Sequence, residues 1–266
     1  MDGGGTPGSL GGRRKSSAGR HRQHRPDDLV ATPMLMAMSD RVMGYLEMCQ
    51  REMISLQRGM NFRVRGGHSV ILMSLRPNAP YRDRLLEDGT VLLYEGHDAP
   101  RLAGQADNKL LDQPALTPHG KPTENGKFFA AARATERGDS PAERVQVYQK
   151  LRDGIWADNG LFHLLDAWQE SDGQRQVFIF KLVAVQDEEA GSAQPVAHPE
   201  RRRLIPTWVK LEVWKRDGGR CVQCGASDDL HFDHDLPYAL GGASVTPQNV
   251  QLLCARHNLK KGARLI

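Results

Sequence analysis

At 266 residues the chain has room for one large or two ordinary domains, and 39% apolar with 6% aromatic residues fits modest cores. No stretch approaches the roughly 18–20 apolar residues of a membrane-spanning helix, and the N-terminus lacks an apolar signal core; no membrane partner and a cytoplasmic location are therefore expected. The net charge is only +4, yet residues 1–28 carry six Arg/Lys against three Asp and residues 200–266 carry eleven against seven acids. Basic ends suit a phosphate-rich partner, although plain solvation explains them equally.

Residues 1–28 are rich in Gly, Ser, Arg and His and nearly devoid of large apolar groups, so they cannot offset the entropy of ordering and are expected to be disordered. Their arginines serve either as contacts to DNA backbone or as a solubilising tail. Over 29–60 the pattern changes. Apolar residues from Met34 through Met38, Val42, Tyr45, Cys49 and Met53 recur at spacings of three and four, Thr32 can cap, and Pro33 suits a first turn. This predicts an amphipathic helix from Pro33 to Arg58, its apolar face serving as core or as a dimer contact.

Residues 61–186 read as β-rich. Candidate strands are Ser69–Ser74, Thr90–Glu95, Arg144–Tyr148, Leu161–Gln169 and Val177–Val185, each dense in β-branched or aromatic residues and bounded by turn formers. The polar stretches Asp98–Gly126 and Glu136–Ala142 read as long loops. Residues 187–203, with Pro195 and Pro199, form a polar linker. Trp208–Arg216 then reads as a short helix leading into the C-terminal segment.

That segment carries two chemistries. Cys221 and Cys224 form a C-x2-C pair, and after 29 intervening residues Cys254 and His257 form a C-x2-H pair, the ligand count of a closed, structural zinc site. Cys49 stands apart, so no disulfide framework is implied. Asp233, His234, Asn249 and Asn258 supply the second chemistry. A neutral imidazole can take a proton from water, and a carboxylate with an amide oxygen suits a hard cation such as Mg²⁺ or Mn²⁺.

The pattern D-H-x2-P…G-G…N…L-C-x2-[CH]-N-x2-K over about the last 65 residues resembles the zinc-stabilised HNH nucleases of the ββα-metal fold. The resemblance implies His234 as general base, Asp233 and Asn258 as ligands of the catalytic cation, and Asn249 as a brace for the loop that holds His234. Pro237, Gly241 and Gly242 match the family's loop between its two strands. The family usually closes the knot with Cys. Here His257 stands in that place, either as zinc ligand or leaning toward the catalytic cation.

A second resemblance lies upstream. Tyr81–Gly96 (YRDRLLEDGTVLLYEG), Asp112–Gln113, Asn125–Ala130, Arg144–Tyr148 and Asp158–Trp168 follow the order of landmarks in SRA domains, readers of modified cytosine on a PUA-like barrel. It implies that the base is flipped into a pocket, stacked on aromatic faces and read along its polar edge. Tyr81 and Tyr94 match the stacking tyrosines and Asp83 the acceptor for the amino group. The spacing from Asp83 to Gly89 departs from the family pattern, which leaves Asp88 and Glu87 as alternates. The family's Tyr-Asp-Gly signature reads Asp158-Asn159-Gly160 here.

The sequence therefore predicts an α+β protein: an N-terminal helix and SRA-like barrel over 29–186, a linker, and a zinc-stabilised HNH domain over 204–266. The implied function is a restriction endonuclease that recognises 5-methylcytosine or a related base in double-stranded DNA and hydrolyses nearby phosphodiester bonds. Because an HNH module cuts one strand at a time, double-strand cleavage implies two copies, as in a homodimer. The alternatives are an HNH nuclease whose β domain reads unmodified DNA, and a non-catalytic DNA-binding protein built on the zinc knot.

Overall fold

The computed structural model describes Met1 and residues 40–86, 89–100, 107–185, 205–236 and 246–261. The tail expected over 1–28, the linker over 187–203, Glu87, Asp88, Pro237, Gly241 and Gly242 lie outside the described residues. Those from Asp40 onward belong to one compact unit.

The architecture is α+β, with ten strands in one branched sheet and four α-helices among the described residues. The strands are β1 (Arg41–Gly44), β2 (Met60–Asn61), β3 (Ser69–Met73), β4 (Arg84–Leu86), β5 (Val91–Glu95), β6 (Glu143–Arg152), β7 (Ile155–Ser171), β8 (Gln176–Ala184), β9 (Leu230–His234) and β10 (Val250–Cys254). Five of them extend or trim the five strands expected from β-branched and aromatic runs. The helices are α1 (Tyr45–Glu52), α2 (Glu124–Glu136), α3 (Thr207–Arg216) and α4 (Ala255–Lys261). No described helix is long and apolar enough to cross a membrane.

Strand β7 organises the sheet. One of its edges pairs with β6 along most of its length; the other pairs first with β1, Ala157 opposite Val42, and then with β8 from Phe162 to Ser171. Gly160 sits where the partner changes, at a φ of +83° that glycine holds without strain, and its N–H donates to Asp158 Oδ1 at 2.7 Å. From β7 the sheet runs through β1, β9 and β10 on one side, through β8, β5 and β4 on the other, and through β6 to the parallel β3 and then β2. Met60, Ile71, Leu92, Phe128, Val147, Phe162 and Phe180 bury themselves in one core. The two wings thus curl around a shared interior, as a barrel-like sheet does.

The helix expected over Pro33–Arg58 is, in its described part, a strand followed by eight helical residues. Backbone pairing of Arg41–Gly44 with both β7 and β9 outweighs the helical spacing of the apolar side chains, and Met53 ends α1 in the left-handed region at φ 52°. Helix α2 spans from the end of one expected loop to the start of the next. Asn125-Gly126 signals a turn, but the Thr123 hydroxyl caps the Gly126 N–H at 3.2 Å, and a Cβ on Gly126 would lie 2.2 Å from the Ala115 carbonyl oxygen.

A second core joins Ile205, Val209 and Val213 to Leu230, Phe232, Leu252 and Leu253. Val42, Leu151 and Ala157 from β1, β6 and β7 complete it.

Candidate functional site

The C-terminal chemistry is built on the β9–β10 hairpin and the helix that follows. Beyond Cys221, the Gly225 N–H donates to the Cys221 carbonyl and the Cys221 N–H to Ala226, each at 2.8 Å, which turns the first cysteine pair into a tight knuckle. Strand β10 ends on Cys254, and His257 follows within the first turn of α4. The ligand atoms of Cys221, Cys224, Cys254 and His257 all lie within 4.8 Å of one another. His257 Nδ1 is 3.4 Å from both Cys221 Sγ and Cys254 Sγ, and Cys224 Sγ is 3.8 Å from Cys254 Sγ. A tetrahedron with zinc–sulfur bonds of about 2.3 Å has edges of about 3.8 Å, so the donor set fits zinc. The His257 ring thus stands with the three cysteines, within reach of the same ion. Burial raises the Cys221 thiol, but N–H groups of Cys254, Gln223 and Cys224 and the His257 ring outweigh it and bring its pKa down to about 6. The thiolate is the form a metal binds.

Asp233 and His234 end β9, opposite Gln251 and Val250. Asn249 clamps the turn after them: its Oδ1 accepts the Leu236 N–H at 2.7 Å, its Nδ2 donates to the Leu236 carbonyl at 3.1 Å, and its own carbonyl accepts the Asp235 N–H at 2.8 Å. His234 is half-buried, and burial, with a smaller push from Lys261, lowers its pKa below the usual 6.5 against the pull of Asp40 and Asp233. Lys261, the last residue of the N-x2-K pattern, was assigned no role from the sequence. Its side chain is fully buried, and Nζ reaches both Asp233 Oδ2 and the carbonyl of His234. Asn258 stands three residues earlier on the same face of α4.

Of the second group of expected residues, Tyr81 and Asp83 line a cleft of about 740 Å³, together with His97 and with Arg58, Arg76, Lys150 and Trp156 elsewhere in its wall. Asp83 accepts the Ser74 N–H at 3.0 Å and the Glu95 N–H at 3.2 Å. Burial outweighs those two bonds and pushes its pKa up to about 7. The Tyr81 ring stacks on His97 at 4.6 Å and 8°, while Lys109 Nζ sits 4.1 Å from the Tyr81 centroid.

Tyr94 does not join Tyr81 at the cleft. It is 1% exposed within the core, and only its hydroxyl reaches outward, to His97 Nε2 at 2.7 Å and to the Gly59 carbonyl at 3.2 Å. His97, which no pattern in the sequence singled out, fills the aromatic place beside Tyr81. Burial lowers its pKa to about 4, so the ring is neutral near neutral pH. Gly59 leaves room for it, since a Cβ there would lie 2.5 Å from His97 Cε1.

Two landmark residues, Asn125 and Gln113, and Arg175 brace this wall from behind. The Asn125 amide pairs with both backbone groups of His97, at 2.9 and 2.8 Å, and Gln113 Nε2 donates to the Gly96 carbonyl at 2.7 Å. Arg175, 4% exposed, lies 2.6 Å from Asp98.

Comparison with curated proteins finds no match. Among solved structures the chain is similar to the SRA domain of SUVH5 in complex with hemi-methylated CG DNA, at 19% identity over 57% of this chain and 89% of that one with a TM-score of 0.37. It is likewise similar to the SUVH5 SRA domain bound to fully hydroxymethylated CG DNA, at 19% identity over 61% and 89% with a TM-score of 0.38. A third likeness is to Arabidopsis thaliana SUVH6 in complex with SAM, at 19% identity over 65% of this chain and 28% of that one with a TM-score of 0.37. The segment that forms the Cys3His knot, the β9–β10 hairpin and α4 matches a protein family: residues 221–264 fit the family model described as HNH endonuclease.

Proposed function

We propose that the protein is a metal-dependent DNA endonuclease that cuts near modified cytosine. The observation that carries this reading is the match of residues 221–264 to the HNH endonuclease family over a hairpin that brings Asp233, His234 and Asn249 together beside a Cys3His knot. A scaffold alone needs only the four knot residues. The additional acid, imidazole and amide favour catalysis.

In this reading His234, held neutral by burial, takes the proton of a water molecule as the water oxygen bonds to phosphorus and the bond to the 3′-oxygen breaks. The products are a 5′-phosphate and a 3′-hydroxyl. Asn249 fixes the turn that carries His234, and Lys261 holds the Asp233 carboxylate and the His234 carbonyl in register. Asp233 and Asn258 offer two oxygen donors, the set a hard divalent cation prefers, and would hold Mg²⁺ or Mn²⁺. Such an ion, when bound, offsets charge on the phosphate and the leaving oxygen.

For recognition, the stacked Tyr81–His97 pair offers an aromatic surface for the base and Asp83 the acceptor for the cytosine amino group. Arg58, Arg76 and Lys150 in the cleft wall suit the flanking phosphates. Methylated and unmethylated copies of one plasmid, digested with Mg²⁺, with Mn²⁺ and with EDTA, test both halves. Cutting confined to the methylated copy with metal is the expected result. Equal cutting of both copies would remove the reader, and no cutting under any condition would remove the nuclease. His234→Ala should lower cleavage by roughly 10² or more while zinc content and DNA binding persist.

A further inference from the structure

The hairpin that carries Asp233 and His234 is not hung from the cleft-bearing sheet by a tether alone; it is the next two strands of that sheet. Strand β1 lies between them, pairing Val42 with Ala157 of β7 on one edge and with Leu230 of β9 on the other. Trp156, the neighbour of Ala157, lines the cleft. A strand spacing of about 4.8 Å and a rise of about 3.3 Å per residue put His234 roughly 16 Å from Ala157, the rise of about five base pairs.

A polar lock fixes the joint. Lys210 on α3 is fully buried, and its Nζ donates to Asn159 Oδ1 at 2.8 Å and sits 2.8 Å from Asp40 Oδ1. Asn159 Nδ2 donates to Gln149 Oε1 at 3.1 Å and lies 3.7 Å from Met73 Sδ, a residue of the cleft wall. Gln149 in turn donates to the Thr207 hydroxyl at the start of α3. A buried ammonium is costly unless fully partnered, so these contacts define one arrangement rather than a range.

Resting on the reading of a modified-base cleft and an HNH centre, we infer that this joint is a ruler. Lys210, Asn159 and Asp40 are positioning residues that hold the cut at a fixed distance from the recognised base, within about one turn of the duplex. A flexible tether would instead spread the cuts over every phosphate it could reach.

The test uses the full chain and duplexes carrying one 5-methylcytosine at a known place, with all cut ends mapped by sequencing. Ends gathered in a window of two or three nucleotides, within about ten base pairs of the base, are expected. Ends scattered over more than a turn, with cutting still dependent on the mark, would overturn the ruler and leave the reading standing. Cutting indifferent to the mark would remove the reading and the ruler with it. Lys210→Ala, and the milder Thr207→Val, should widen the window severalfold at unchanged zinc content. A narrow window in both variants would show that the joint does not set it.

Discussion

Tyr81 and Tyr94 look alike in the sequence and part company in space, so their substitutions should separate. Tyr81 borders the cleft with its ring on His97, whereas Tyr94 is a core residue with only its hydroxyl near the site. Tyr81→Ala should lower affinity for modified duplex by about ten- to a hundredfold, the value of one base–aromatic stack of about 1–3 kcal/mol, and leave unmodified duplex nearly unchanged. Tyr94→Ala should instead cost about 3–5 kcal/mol of stability, read as a shifted denaturant midpoint, because it empties a ring-sized volume in the core. Period-two alternation shows that Tyr94 lies on a strand but not which face of that strand meets the core. His97 was illegible for a related reason, since one histidine between glycine and aspartate carries no spacing.

Asp83 yields a prediction with a definite sign. Its folded pKa of about 7 stands above the ordinary 3.8, so the folded protein keeps a proton that the unfolded chain has released. That contribution to stability is fully present below about pH 4, falls as pH rises to about 7, and is level above. The melting temperature of the parent, measured relative to Asp83→Asn, should therefore drop between about pH 5 and pH 7 and change little from there to pH 8. A difference that rises with pH would show the carboxylate ionised and favourably partnered.

Elements were legible in proportion to how local their causes are. Strands β3, β5, β6, β7 and β8 and helix α3 were visible because their side-chain patterns match the surfaces they bury. Helix α2 was not, because its start depends on Thr123 and on the close approach of Gly126 to Ala115. Strand β1 was misread because its partners lie more than a hundred residues away. The Cys3His knot was the most legible element, since paired ligands in short turns need no long-range information, and the distances among Cys221, Cys224, Cys254 and His257 fit one tetrahedral ion. One zinc per chain is expected by elemental analysis. Stripping it with a chelator, or replacing Cys254 with Ala, should unfold the C-terminal hairpin, because such an ion contributes about 10–16 kcal/mol of apparent folding free energy. Native-like circular dichroism in zinc-free protein would contradict the structural role.

At the scale of the whole molecule, the sequence announces two modules and the structure gives them a common interior. Val42, Leu151 and Ala157 pack among Val209, Val213, Leu230 and Leu252. Asp40 stands beside the fully buried Lys210. A fragment of residues 205–266 would lack all four partners, keep a charged Lys210 without its carboxylate, and expose the edge of β9 that β1 covers. With about 60 residues, such a piece has little apolar burial to spare, and zinc alone must then hold it. The fragment with zinc should accordingly show a broad, low-temperature melt and poor dispersion of its amide resonances. A chain beginning at residue 37 should melt sharply. Adding a peptide that spans residues 37–46 should sharpen the fragment's spectrum by restoring β1. A fragment that folds as cooperatively without the peptide as the full chain would show that the shared core is dispensable to the C-terminal module.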